Sequence, residues 1–440
     1  MSSSSNLHLW IISVACSIIF LTSGYDTGIV SISSNTLQEH FKVSNSSISL
    51  VTHTAAFSSI FSALLSCYIN CRVSRKLGIL VGDILIIIAS IFFCSANQFG
   101  VLILSRVLFG LGLGTSTIAT FLFLSEWAPP DNRGKLLSLS GVFASTGLSL
   151  SFLIRPYLNQ VIPWRILFGA NSVFPILHSS IIMFYPDPPI WLGTKGRYTE
   201  AESAFEKIYG AGVGVKRPLF SKLHVAEGFI KQLQNAKNSI QIKKTIFCNL
   251  LVQTIQHVSG FNIITYIVDL HDGKDMGLGD QFVLYILIPF MGVIISLFFI
   301  DTQKLGRKGT LIISNTSLVL CLAILACILG PTSELPKQSD KMYVTLGLLS
   351  IYSLLYSIGL ETIPPIINFE IYEIYFLGVG SGIGSAVNWT LALVTSTYYG
   401  KFIENAGWRM CLGVQCVVSA ACTVGIGILM KETRGRDFLE

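Results

Sequence analysis

Leu77-Gly78-Ile79-Leu80-Val81-Gly82-Asp83-Ile84-Leu85-Ile86-Ile87-Ile88-Ala89-Ser90-Ile91-Phe92-Phe93-Cys94-Ser95-Ala96-Asn97, preceded by Arg72-Val73-Ser74-Arg75-Lys76, decides how this chain is read. A helix of roughly 20 apolar residues crosses the hydrocarbon core of a bilayer, and residues 77–97 offer that length with Asp83 as their one charge. The basic segment before them is of the kind retained on the cytoplasmic side. Runs of similar length lie at 8–33, 48–70, 77–97, 99–124, 134–154 and 163–186, then at 245–270, 281–302, 308–330, 343–371, 376–399 and 408–430. The 440 residues are 12% charged and 51% hydrophobic, where soluble domains carry about 25% charge. An ordinary soluble protein, a disordered chain and a nucleic-acid binder are thereby excluded.

The polar stretch 187–244 between the two sets of six holds ten basic residues and five acidic ones. It falls on the same side as Arg72–Lys76 and as the basic Lys304-Leu305-Gly306-Arg307-Lys308. By the positive-inside rule that side is cytoplasmic, and both termini share it. The two short basic loops occupy the same place in each half, between the second and third runs, as in a duplicated six-helix unit. The expected fold is an all-α membrane protein of twelve transmembrane helices in two pseudo-symmetric six-helix bundles. They cover 8–186 and 245–430, with a cytoplasmic linker at 187–244 and a cytoplasmic tail at 431–440. Within the linker, Thr199 to Tyr209 has good helix formers behind a threonine able to cap. Met1 to Asn6 is uncharged and no small-residue cleavage site follows, so the first run reads as a membrane helix rather than a signal peptide. Cys16, Cys67, Cys94, Cys248, Cys321, Cys327, Cys411, Cys416 and Cys422 lie in or at the ends of apolar runs and read as small buried hydrophobes. No Cys/His cluster has metal-ligand spacing, and no phosphate-binding Gly-x-x-x-x-Gly-Lys loop is present. Neither a metal, a cofactor nor an enzymatic centre is expected.

Gly24-Tyr25-Asp26-Thr27-Gly28, Arg72-Val73-Ser74-Arg75-Lys76, Glu126-Trp127-Ala128-Pro129 and Gly306-Arg307-Lys308, in that order along the chain, resemble motifs of the sugar porter family of the major facilitator superfamily, which contains glucose facilitators and proton-sugar symporters. Gly24-Tyr25-Asp26-Thr27-Gly28 is similar to the family's first-helix motif, and Arg72-Val73-Ser74-Arg75-Lys76 to its Arg-x-Gly-Arg-Arg loop with Ser74 for glycine. Ser105-Arg106 through Gly114 resembles the fourth helix. Glu126-Trp127-Ala128-Pro129 with Arg133-Gly134 has the family's Glu-to-Arg spacing, and Pro186-Asp187-Pro188-Pro189-Ile190-Trp191-Leu192 resembles Pro-Glu-Ser-Pro-Arg-Trp-Leu. In the second half Gln256-His257-Val258-Ser259-Gly260-Phe261-Asn262, Gly306-Arg307-Lys308, Asn388-Trp389-Thr390 and Glu432-Thr433-Arg434-Gly435-Arg436 each match a family motif in order.

A sugar presents several hydroxyls around a weakly apolar ring, so its site needs amides and aromatic faces. Gln253, Gln256, His257 and Gly260 share one helical face, with Asn262 and Tyr266 just beyond, where Gly260 is able to loosen the helix. The resemblance places sugar contacts at Gln253, Gln256, His257, Asn262 and Asn388, with Tyr266 nearby and Trp389 as a stacking plate. The alternative for such polar residues is hydrogen bonding between helices. The amide expected on helix five falls on Gly141 and the helix-ten tryptophan on Pro365, which trims the site. Asp26 and Arg106 sit where proton-coupled members pair a carboxylate with a cation. Asp83 and Glu361 also fall in apolar runs, at helix ends or facing a cavity. The family's cytoplasmic latch would use Arg72, Arg75, Glu126 and Arg133 in one half and Arg307, Glu370 and Glu432 in the other. Leu377 replaces an arginine of that second set, and Asp301 lies two residues early. Asn45-Ser46-Ser47 is a glycosylation sequon in the first outward loop.

These readings imply a monomeric plasma-membrane transporter for a hexose, glucose first, working by alternating access in a lipid bilayer without nucleic acid. Facilitated diffusion and proton coupling both remain open. The alternatives are a non-transporting sugar sensor on the same fold, or a porter for a pentose or a polyol such as inositol.

Overall fold

The computed structural model describes residues 3–158, 162–210, 228–260, 287–302, 305–331 and 339–436. Its elements are helices: α1 (Ser3–Phe41), α2 (Asn45–Arg72), α3 (Arg75–Cys94), α4 (Phe99–Trp127), α5 (Arg133–Ile154), α6 (Trp164–Ala170), α7 (Val173–Ile182), α8 (Pro189–Thr194), α9 (Tyr198–Tyr209) and α10 (Phe229–Asn238). There follow α11 (Ile240–Val258), α12 (Ile288–Phe299), α13 (Gly306–Leu329), α14 (Ser339–Tyr356), a π-helical turn Ser357–Glu361, α15 (Ile363–Asn368) and α16 (Ile374–Leu429). Among the described residues, nine helices are long and apolar enough to cross a membrane. Every one of the twelve apolar runs contains helix. The last two share α16, inside which Gly407 adopts φ 74° and ψ 166° and so ends one helix and starts the next.

Two compact units emerge: Met1–Lys243 with Asn368–Trp389 and Gly435–Glu440, and Lys244–Ile367 with Thr390–Arg434. In the first, helix faces follow a rule suited to an apolar solvent. On α3 the inward face carries Gly78, Gly82, Asp83, Ile86, Ala89, Ser90 and Phe93, while Leu77, Val81, Ile84, Ile88 and Ile91 point outward. Small and polar groups therefore go inside, because lipid is as apolar as leucine and close backbone approach drives packing. The Gly110-x-Gly112-x-Gly114 run of α4 serves two neighbours. A Cβ on Gly110 would overlap the Ala55 carbonyl oxygen of α2, and one on Gly112 would come within 2.7 Å of the Gly82 carbonyl oxygen of α3. α1 and α5 cross in the same way, with Gly24 against the Ala144 carbonyl and Gly147 against that of Leu21. At one end of the unit Phe93 stacks on Phe168, ring centroids 3.7 Å apart, in a cluster with Tyr25, Trp164 and Leu167.

The sixth run is broken at Asn171-Ser172 between α6 and α7. Pro175 supplies the cause, since it has no N–H for the carbonyl four residues back and its ring crowds that carbonyl, which belongs to Asn171. α9 starts at Tyr198, a residue before the expected Thr199 cap. Instead of a threonine cap, the guanidinium of Arg197 clasps Glu200 in the first turn. All ten cysteines are free thiols, and Cys327 is exposed rather than buried.

In the second unit, the C-terminal turn of α11 is held by α14. The Tyr352 and Tyr356 hydroxyls, one turn apart, donate to the carbonyls of Ser259 at 2.7 Å and Gln256 at 3.0 Å. Carbonyls in the last turn of a helix have capacity to accept such bonds. Gly260 then takes φ 99°, so the chain leaves the helix where the sequence allowed it to loosen. Beyond α14, the π turn precedes Pro364 and Pro365, and Ser357 and Ser314 lie close against Gly292 and Gly359.

Candidate functional site

Asp26, in the middle of the 39-residue α1, has both carboxylate oxygens bound by Arg106 of α4, at 2.8 Å each. Each residue is only 4% exposed. The Arg106 Nε–H is used as well, donating to the Val51 carbonyl at 3.1 Å, and its guanidinium lies 4.9 Å from the centroid of the Phe109 ring. The Asn171 amide donates to Asp26 at 3.3 Å. This residue escaped the sequence reading, although an asparagine four residues before a proline in an apolar run is a signal of its own. A bidentate pair so enclosed is stable only while both charges are present. Protonating Asp26 would remove its charge and release Arg106.

At the other end of α4, Glu126 accepts from Arg75 Nε at 3.1 Å and Nη2 at 2.8 Å, and Arg75 also donates to the Asn70 carbonyl at 2.7 Å. Ser74, which stands where the family has glycine, caps α3 by accepting from the Leu77 N–H. Asp187 accepts the Lys76 N–H at 3.1 Å, and Lys76 Nζ closes the Met183 carbonyl at the end of α7. Arg72 is exposed and lies over the Tyr68 ring at 4.9 Å. Arg133 is buried and donates to the carbonyls of Ala128 and Arg436. Arg436 in turn donates to the Ile371 carbonyl at 2.7 Å and to that of buried Glu370 at 3.4 Å. Beside Arg75 and Glu126, a polar cavity of about 20 Å³ is lined by Asn70, Trp191, Lys195 and Gln232. Burial, with Arg75 nearby, holds the Lys195 amine below its ordinary value. Burial also pushes the Tyr209 phenol up to about 12 against the pull of Arg133, so it stays a donor to the Trp127 carbonyl at 2.6 Å.

In the second unit the Arg307 guanidinium, fully buried, lies 3.3 Å from Asp301. Glu432 accepts the backbone N–H groups of Arg307 and Lys308 at 3.0 and 3.1 Å. It thus closes the positive end of α13.

Of the expected sugar contacts, Gln253 is buried and gives its amide to Asn249 at 3.1 Å and to the Pro364 carbonyl at 3.2 Å. That is the interhelical use of a polar residue. Gln256 and His257 are half-buried on the same helix, and Asn262 and Tyr266 lie outside the described residues. In the first unit Asn388 is half-buried, and Trp389 packs against a cluster of Ile19, Ala55, Ile86, Phe109 and Leu113. Asn45 opens α2.

The family model for sugar and other transporters matches residues 11–440. The chain belongs to the sugar porter family of the major facilitator superfamily. This sugar porter is 23% identical over 522 residues to inositol transporter 4 of Arabidopsis thaliana, covering 96% of this chain and 89% of the relative. It is 23% identical over 404 residues to the arabinose-proton symporter of Escherichia coli strain K12, covering 90% and 84%. The solved proton:xylose symporter bound to 6-bromo-6-deoxy-D-glucose superposes with a TM-score of 0.83 at 17% identity, covering 100% and 99%. That likeness carries the fold. The sugar porter is a multi-pass membrane transporter of the major facilitator fold, not an enzyme.

Proposed function

We propose that this sugar porter drives a hexose, glucose first, across the plasma membrane by alternating access, with uptake coupled to a proton at Asp26. The observation that carries the reading is the enclosed Asp26–Arg106 pair, with Asn171 as its third member. A carboxylate and a cation this deep in a membrane protein are costly to keep unless they work. The relatives include proteins named as proton symporters for arabinose and for galactose. Gln253, Gln256, His257, Asn388 and Trp389, with Asn262 and Tyr266, are the proposed sugar contacts. The Gln253 amide also donates to the Pro364 carbonyl, which ties α11 to α15. Arg75–Glu126 and Arg307–Asp301, together with Arg72, Arg133, Glu370 and Glu432, are the proposed cytoplasmic latch, which opens when water enters. The porter is proposed to act as a monomer with both termini cytoplasmic.

The test is sugar uptake into proteoliposomes with and without an inward proton gradient, over glucose, xylose, arabinose and myo-inositol. Accumulation of glucose that collapses with a protonophore supports the proposal, and accumulation of another sugar alone reassigns the substrate. Equilibration that ignores the gradient makes the protein a facilitator. No uptake of any sugar favours a sensor. In the coupled case, Asp26→Asn keeps exchange of labelled sugar but loses accumulation against a gradient. Gln256→Ala should cut uptake at least about tenfold, the loss of one good hydrogen bond in a desolvated site, with surface expression unchanged. Normal uptake in that variant would remove α11 from the sugar site.

A further inference from the structure

The three-way seam between α3, α4 and α7 holds a further buried ionisable pair, which neither the sugar contacts, the proposed latch nor the Asp26 pair uses. The sequence reading put Asp83 at a helix end or facing a cavity; the structure puts it mid-helix with no exposure. One of its oxygens, Oδ2, lies 2.8 Å from His178 Nδ1, and Oδ1 accepts from the Ser116 hydroxyl at 2.6 Å. Asp83 and His178 are both fully buried. On the far side of the imidazole, Nε2 lies 3.5 Å from the Thr120 hydroxyl. Ser116 and Thr120 are one turn apart on α4 and present both hydroxyls to the pair.

Two features make this more than a structural tie. The first is charge. With a neutral imidazole, the pair leaves a full negative charge among apolar helices, and one added proton cancels it. The second is the identity of the outer partner. A threonine hydroxyl both donates and accepts. It is able to donate to Nε2 of the neutral ring and to accept from Nε2–H of the imidazolium, so neither state is left unsatisfied. Among the described residues, the Cys16 thiol of α1 is a further titratable group on the side of Asp83. The charged residues of α4 itself, Arg106 and Glu126, are each ten positions from Ser116 and are bound to Asp26 and Arg75.

We propose that Asp83 and His178, flanked by Ser116 and Thr120, form a second proton-binding site, separate from Asp26–Arg106, that takes one proton from water and returns it. The proton resides on His178 Nε2 and leaves by the same atom. Because the site is enclosed, exchange follows a parting of α3, α4 and α7. The site does not depend on the sugar or on coupling at Asp26.

The test is nitrogen NMR of labelled histidine side chains in the full-length protein in lipid, from about pH 5 to about pH 9, the range in which histidine charge changes. Seven histidines contribute, and the His178 signal is the one lost in His178→Gln. If that variant does not fold, the same signal is identified as the one that moves in Ser116→Ala. The expected result is a His178 resonance that passes from imidazolium to neutral ring within the range. Ser116→Ala removes a donor that favours the unprotonated pair, so the midpoint should move to higher pH by roughly one unit. A merely structural pair would not shift so. A resonance fixed in one form across the range, or a midpoint indifferent to Ser116→Ala, overturns the proposal. Both readouts are made without sugar, so failure of the transport assay leaves them standing.

Discussion

Arg106→Ala should destabilise the folded protein by about 3–5 kcal/mol, the cost of stripping one partner from a buried ion pair. The guanidinium satisfies both oxygens of Asp26 and one backbone carbonyl, so its removal leaves a carboxylate in a low-dielectric site with the Asn171 amide as its remaining side-chain donor among the described residues. Arg106→Ala combined with Asp26→Asn removes the stranded charge and should recover most of that loss. The measurement is thermal unfolding of purified protein in detergent across the full cycle of single and double variants. Equal losses in the single and double variants would mean that the two groups do not act as a pair. Neither variant should accumulate sugar against a gradient, because both lack the charge exchange attributed to Asp26.

Gly147→Leu is the second large effect. A side chain there would collide with backbone, the Leu21 carbonyl and the Tyr25 N–H, rather than with the movable end of a neighbouring side chain. Backbone cannot yield without parting α1 from α5, so the cost belongs at or above the upper end of about 1–3 kcal/mol typical of overpacking. It should reach function as well, since Asp26 follows Tyr25 and would be dragged from Arg106. Gly427→Ala is the control, because a Cβ at Gly427 meets nothing within 4 Å. It should stay within about 0.5 kcal/mol of the parent. Similar melting temperatures for Gly147→Leu and Gly427→Ala would refute the close crossing of α1 and α5.

The membrane helices were legible because length and apolarity are local properties, and the ionisable groups at Asp26, Arg106 and Asp83 stood out against so apolar a background. Their partners were less legible. Nothing in the sequence says that Asn171 returns to Asp26 or that His178 meets Asp83, since each pairing depends on which helices become neighbours. The polar face of α11 shows the limit of such a reading: the Gln253 amide also bonds the Pro364 carbonyl, a second use that spacing does not reveal. Periodicity shows which residues share a face, but not whether that face meets a ligand or another helix. The broken sixth helix had a visible cause in Pro175. Its consequence, an amide aimed at Asp26, needed the three-dimensional arrangement.

The long sequence separations of the buried pairs bear on how the protein is made. Asp26 is 80 residues ahead of Arg106, and Asp83 is 95 ahead of His178. At about 5–20 residues per second, each carboxylate emerges from the ribosome seconds before its partner exists. A lone aspartate near the centre of an inserting helix costs roughly 2.5–3.5 kcal/mol at the translocon, which α1 and α3 offset with their long aliphatic flanks. Until α4 arrives, α1 is an inserted but unfinished helix, and until α7 arrives so is α3. Cellular quality control therefore meets this transporter first as a set of unpaired charges, and a substitution that delays pairing would lower its abundance before it altered a single transport cycle.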